Sequence, residues 1–299
     1  MNDINNIKLR HLIFTIVVSI LLILYSLFGL LLISYEVQIF ILFFFVVMFG
    51  IPHGFYDYSI AKKLYEKKSS NWLSKFTSIY IITILISLAF WNIFPLASLI
   101  IFLGISLYHF GYEEVIYNNL KRSFIKVFMI GSIPIIFPFL FYTNEVLKLF
   151  SILIGTNLPS IEIGNEISLL LLFFYILYFY FIYKGLYLMQ IIGYLLVLAF
   201  LPPLISFVFY FCFVHSTRHV IDSYYSRDNI FKKYHLLTLT FTMALISLII
   251  SFVFGVYMLE AFDMSIEVLT IKYIFIGLFC LTVPHILLSL ISLNQSKIT

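Results

Sequence analysis

The apolar residues of this chain come in unbroken runs of about twenty, and that feature removes most folds from consideration. A run of that length, as a helix, matches the ~30 Å hydrocarbon core of a bilayer. In lipid every backbone N–H and C=O must be satisfied internally, so only helices and closed barrels can span. Barrel strands alternate apolar and polar residues, and these runs do not alternate. Ten qualify: 13–34, 38–60, 76–94, 96–112, 126–142, 166–183, 186–201, 204–221, 236–258 and 268–292. The expected architecture is all-α, a polytopic transmembrane helix bundle of about ten spans, built as one integral-membrane domain over 1–299. Eight spans is the alternative, with 186–201 and one other run not crossing.

Composition enters only to close off rivals. At 63% hydrophobic and 11% charged residues, the chain is far from the roughly 45–50% and 25% of soluble domains. A mean hydropathy of +1.08 also excludes disorder, collagen and coiled coil. Cys212 and Cys280 both lie in apolar runs and build no disulfide framework. The net charge of +4 is no nucleic-acid signal, because the lysines and arginines follow the loops.

With the N-terminus inside and ten crossings, 16 of the 18 basic residues fall on the cytoplasmic side, leaving only Lys148 and Lys272 outside. Both termini are therefore expected in the cytoplasm, and the protein in the cell (inner) membrane as a multi-pass protein. The first run is longer than the 7–15-residue core of a signal peptide and no small-residue cleavage site follows, so no cleavable signal is expected. Residues 143–165 read as the longest external loop, placed on the membrane surface.

Ionisable residues inside a membrane are costly and point to function. His11 and His235 border spans and read as interfacial. His53, His109, His215, His219 and His285 all fall within runs, and all in even-numbered ones. Counted to the next cytoplasmic basic residue they lie 8 to 12 positions in, roughly 12–18 Å at helical rise. Five histidines therefore share one layer of the membrane. His215 and His219, four apart, occupy one helix face and can grip one metal. His53 and His109 are the natural suppliers of two more imidazoles.

The H-E-x-x-H motif of zinc proteases is absent, since Ser216-Thr217-Arg218 separates the pair. Adjacent His-His pairs, which membrane desaturases use, are absent too. A single metal with neutral imidazoles and open positions suits non-haem ferrous iron that meets dioxygen. A bis-histidine haem carrier also fits, as does a transporter that passes a metal ion or protons along the histidine layer.

Four segments follow in order: Gly50-Ile51-Pro52-His53-Gly54-Phe55-Tyr56-Asp57, Tyr108-His109-Phe110-Gly111-Tyr112-Glu113-Glu114, His215-Ser216-Thr217-Arg218-His219 and Pro284-His285. Together they resemble the bacterial and archaeal β-carotene dioxygenases related to bacteriorhodopsin-related protein (the Brp/Blh family). The chain departs from the family's usual pattern in placing Phe55-Tyr56, rather than a small residue, before Asp57. The resemblance implies a membrane oxygenase that splits β-carotene with O2 at non-haem iron, Fe(II), to give two all-trans-retinal. It implies that His53, His109, His215 and His219 bind that iron, and that the retinal could serve an opsin in the same cell. No nucleic-acid partner is implied.

The residues agree with such a substrate, because a wholly apolar polyene dissolves in the bilayer. Aromatics are 20% of the chain. Tyr56, Tyr108, Phe110, Tyr210 and Phe211 flank the histidines and are candidates to line a polyene tunnel. Asp57 and Glu113, each four residues after a histidine, are candidates to orient an imidazole. Arg218 is expected to pair with Asp57 or Asp222 or to snorkel to the surface, and Glu114 reads as an interfacial carboxylate. His285 is expected beside the metal but outside its ligand set, hydrogen-bonded to a carboxylate, a water or a freed carbonyl.

A reporter fused after Lys68 is expected to read cytoplasmic, and one fused within 157–162 external. The same location for both would overturn the ten-span order.

Overall fold

In the computed structural model of the chain, residues 2–29, 33–225, 236–261 and 265–296 are described, without the side chains of residues 2, 3, 53, 236, 237, 252–261 and 293–296. His235 and the basic residues Arg227, Lys232, Lys233 and Lys297 lie outside them. Among the described residues there is no strand. The helices are α1 (Asn2–Leu27), α2 (Tyr35–Tyr65), α3 (Trp72–Ile93), α4 (Pro95–Tyr117), α5 (Phe124–Phe141), α6 (Thr143–Ile154), α7 (Asn165–Ile182), α8 (Leu186–Phe200), α9 (Pro203–Tyr225), α10 (Leu236–Ala261) and α11 (Ile266–Ser296).

Each of the ten expected runs contains a helix, the first ending at Leu27. Among the described residues, eight helices are long and apolar enough to cross a membrane: α1, α2, α3, α4, α5, α7, α9 and α11. The 15 residues of α8 rise only about 22 Å, short of the hydrocarbon thickness, and in α10 the apolar stretch is Thr238–Ser251. The stretch read as a long external loop contains α6. Its buried face is Val146, Leu147, Leu149, Leu153 and Ile154, and Gly155 ends it in the left-handed conformation at φ +75°. Alternating four-residue spacing on a short amphipathic helix is easily mistaken for a loop when only span-length runs are sought.

Prolines set the boundaries that hydropathy blurs. Pro95 occupies the first turn of α4 directly after α3, and Pro203 opens α9 directly after α8, where a missing N–H costs nothing. Packing pairs α4 with α5, α1 with α8, and α3 with α11, with α5 also against α8. Helix α9 threads the interior: of Pro203–Ser216 nearly every residue is buried. The outward faces of α3 and α7 carry exposed Ile79, Leu85, Phe173 and Phe181, as a lipid-facing helix requires.

The α4–α5 contact is backbone against backbone. A Cβ built on Gly111 would meet the Val127 carbonyl, and one on Gly131 the Leu107 carbonyl. Small residues allow that approach in membranes, where burying apolar surface between helices gains little over lipid. The contact brings α5 against the turn of α4 that carries His109.

Gly131→Val is expected to cost about 1–3 kcal/mol by overpacking, read as a lowered unfolding midpoint in detergent. Gly104→Ala, on the partner helix α4 but facing open space, is expected to leave the midpoint unchanged. Equal midpoints for all three proteins would remove the backbone contact as a determinant.

Candidate metal centre

Four histidines from three helices meet in the interior. The rings of His109 (α4) and His215 (α9) lie 4.9 Å apart, His109 and His285 (α11) 5.1 Å, and His219 (α9) and His285 5.2 Å, centroid to centroid. The fifth, His53, lies on α2, and its side chain is outside the described residues. The carboxylate of Glu113 stands among three of the imidazoles. It accepts from His219 Nδ1 at 3.1 Å and lies 3.7 Å from His109 Nε2 and 3.6 Å from His215 Nδ1. Ligating atoms of His109, Glu113 and His285 fall within 4.8 Å of one another, a grouping able to hold a metal ion.

A second carboxylate serves His285. Its Nδ1 donates to Asp57 Oδ1 at 2.7 Å, and Tyr80 donates its hydroxyl to Asp57 Oδ2 at 2.8 Å. Asp57 and His285 are both buried. A carboxylate on one ring nitrogen fixes the tautomer and turns the other nitrogen toward a metal. Asp57 therefore meets a histidine far along the chain, on α11, and Glu113 meets His219 most closely. Tyr80 carries no sequence signal of its own, since nothing in α3 pairs it with Asp57.

Two of the histidine-bearing helices leave α geometry where the histidines stand. Helix α2 passes through a π turn at Val46–Gly50 and a 3-10 segment at Ile51–Tyr56 around Pro52. Helix α9 is π-helical over Phe209–Ser216, which includes His215. Such departures are frequent at functional sites. His11, expected at the membrane edge, is instead buried and donates from Nε2 to the Phe213 carbonyl in that π segment at 2.8 Å. Pro284, by contrast, sits inside α11 with the helix continuing on both sides.

Arg218, between the paired histidines, neither snorkels nor reaches Asp57 or Asp222. It is buried and paired with Glu114, and it donates to Gln190 at 2.7 Å and to the Tyr194 hydroxyl at 2.9 Å. The Glu114 carboxylate also accepts from Asn118 at 2.7 Å. Asp222 pairs with Lys8 at 2.7 Å. Glu113 and Glu114 are adjacent, so they point about 100° apart on the helix: one toward the imidazoles, the other toward the guanidinium.

An apolar cavity of about 590 Å³ reaches the cluster, where His109, His215 and His285 form part of its wall. Phe207 and Phe211 stack at 5.2 Å and His215 lies under Phe211 at 5.9 Å, so one face of α9 is a column of rings leading to the histidines. Phe110 meets His215 edge-on at 4.7 Å. A second cavity of about 350 Å³ lies on the other side of His215, with Glu113, Arg218, His219, Asp222 and Ser289 in its wall. Of the aromatic residues expected at a tunnel, Phe110, Tyr210 and Phe211 line the apolar cavity and Tyr56 the second one. Tyr108 stands outside both, stacked on Tyr112 and accepting from Arg122 at 2.9 Å.

The family model described as beta-carotene 15,15'-dioxygenase matches residues 44–291. A protein of uncultured marine bacterium 66A03, named beta-carotene 15,15'-dioxygenase, is 30% identical over 252 residues, covering 81% of this chain and 90% of that protein. No solved structure matches the chain significantly.

Removing one partner of a buried ion pair strands the other charge, at about 3–5 kcal/mol. Glu114→Ala is therefore expected to unfold well below the parent protein in a thermal melt. Glu114→Leu combined with Arg218→Met should recover much of that loss. A double variant less stable than the single one would show that the pair is not the stabilising unit.

Proposed function

The chain belongs to the beta-carotene 15,15'-dioxygenase family, and from that premise we propose that it cleaves β-carotene inside the membrane at a ferrous iron held by His53, His109, His215 and His219. The observation that carries this reading is the junction of an apolar, ring-lined cavity with a cluster of imidazoles. Imidazoles with carboxylates behind them suit Fe(II), which when bound supplies the activation of O2 that a hydrocarbon substrate demands.

The protein's own residues have positioning roles. The faces of Phe207 and Phe211 and the edge of Phe110 seat the polyene beside the histidines. Glu113 holds His219, and Asp57, itself held by Tyr80, holds His285. The apolar walls keep water from the polyene. No general base is required, because no proton leaves the substrate. Each carbon of the broken double bond takes one oxygen atom of O2, so the products are two molecules of all-trans-retinal. The protein acts in the cell (inner) membrane, and a retinal-binding opsin in the same membrane is the natural consumer.

A transporter would need a water-lined path to the histidines, whereas the larger cavity that reaches them is walled mainly by Phe, Leu, Ile and Pro. A haem carrier would declare itself by a Soret band in the purified protein.

One observation favours a second ligand set. The grouping of His109, Glu113 and His285 is a mixed imidazole–carboxylate shell that includes His285. In the four-histidine reading His285 adjoins the iron through no bond to it.

Expression in a β-carotene-producing bacterium is expected to bleach the cells and yield retinal; cells that stay coloured would sink the proposal. His53→Ala and His219→Ala are expected to lose both bound iron and retinal formation while still inserting in the membrane. His285→Ala is expected to keep most of its iron while retinal yield falls. Loss of iron from His285→Ala as complete as from His53→Ala would transfer the ligand role to the mixed shell.

A further inference from the structure

A polyene hydrocarbon offers no hydrogen-bonding atom, so nothing directional can tell the protein which of its double bonds faces the metal. Only shape can. The two ends of the apolar cavity differ in the way such selection by shape needs.

One end is closed by α6. Val146, Leu149 and Leu153 line it and are 7%, 9% and 5% exposed. Helix α6 is tied down there by Trp91, whose indole N–H donates to the Leu153 carbonyl at 3.3 Å. The other end opens between α2 and α3, where Phe55, Thr77 and Ile81 line the cavity and are also exposed on the outside of the bundle. In a membrane that outside is lipid. Ile81 adjoins Tyr80, which reaches His285 through Asp57, so the mouth lies close to the histidines. The closed arm runs back along α4 from the histidines. Leu99 and His109 both line the cavity, ten positions apart on α4, or about 15 Å at helical rise.

We propose that the closed arm under α6 is an end stop that selects the double bond to be cut, with Leu149 and Leu153 as specificity-determining residues. The proposal rests on the dioxygenase reading above. A carotenoid enters from the lipid between α2 and α3, passes the histidines ring first and halts against α6. The double bond one half-molecule behind that ring then faces the metal, while the trailing half stays in the mouth. Because β-carotene has equal halves, a stop at one half-length gives central cleavage, with each carbon of the broken bond receiving one oxygen atom of O2.

The test is product analysis with the full chain in membranes, alongside bound iron. The parent protein is expected to give retinal alone from β-carotene. Leu149→Trp, which shortens the arm, is expected to bind iron at the parent level but to release one aldehyde shorter and one longer than retinal. Leu149→Ala with Leu153→Ala deepens the arm and should move the cut past the centre. Retinal alone from every iron-loaded variant would overturn the end stop. Should the variants fail to fold, the parent protein is given a carotenoid truncated at one end and ringed at the other. Cleavage at the bond that yields retinal from the ringed end is expected; cleavage at the midpoint of the shortened chain overturns the proposal. A parent protein that forms no aldehyde from β-carotene fails the dioxygenase reading itself, a result distinct from retinal alone.

Discussion

A carboxylate in the middle of a membrane bundle has lost its water and must be compensated by its neighbours. Glu113, whose side chain is 26% exposed, is partly under that constraint, and the architecture around it answers it. Helix α4 supplies Glu113 and His109 four residues apart, and α9 supplies His215 and His219 at the same spacing on a facing surface. The imidazoles satisfy the carboxylate and the carboxylate orients the imidazoles. Asp57, His285 and Tyr80 repeat the arrangement with three other elements. The burial of α9 holds His215 and His219 beside Glu113, and the close glycine contact packs α5 behind the turn of α4 that carries His109.

The same logic accounts for the polar residues that do not touch the cluster. Arg218 is flanked by ligand candidates, so its helix cannot turn it to the surface without turning them away. It is compensated in place by Glu114, Gln190 and Tyr194, and Gln190 in turn binds Thr15 of α1. One buried guanidinium thereby links α1, α4, α8 and α9. A buried charge network of this kind is weak as a source of stability but strong as a constraint on register.

The helical spans and the shared depth of the histidines are legible in the chain because both rest on local spacing: run length, positions to the next lysine, and intervals of four. The partners of Asp57, Arg218 and His11 are not, because each lies on a helix more than twenty positions away and nothing in the intervening sequence records the pairing. Sequence spacing points Asp57 to the histidine four residues before it and Arg218 to Asp57, Asp222 or the surface, whereas tertiary contacts choose His285 and Glu114. Helix α6 was hidden for a different reason. It is too short to span, and its value lies in the face it turns inward. His53 is placed by its backbone alone, in the 3-10 turn at Pro52.

The π-helical stretch of α9 has a consequence for how this protein can change over time. A π turn holds one more residue than the α turn it replaces. Deleting a single residue between Phe209 and Ser216 would leave an acceptable, even more regular, helix. Because the turn closes the same circle with or without that residue, Arg218 and His219 would stay near Glu114 and Glu113, while the side chains of the turn itself, His215 among them, would be re-aimed. A single deletion in this segment should therefore disturb the far flank much less than the same deletion in the regular helix α4, where it turns everything beyond it by about 100°.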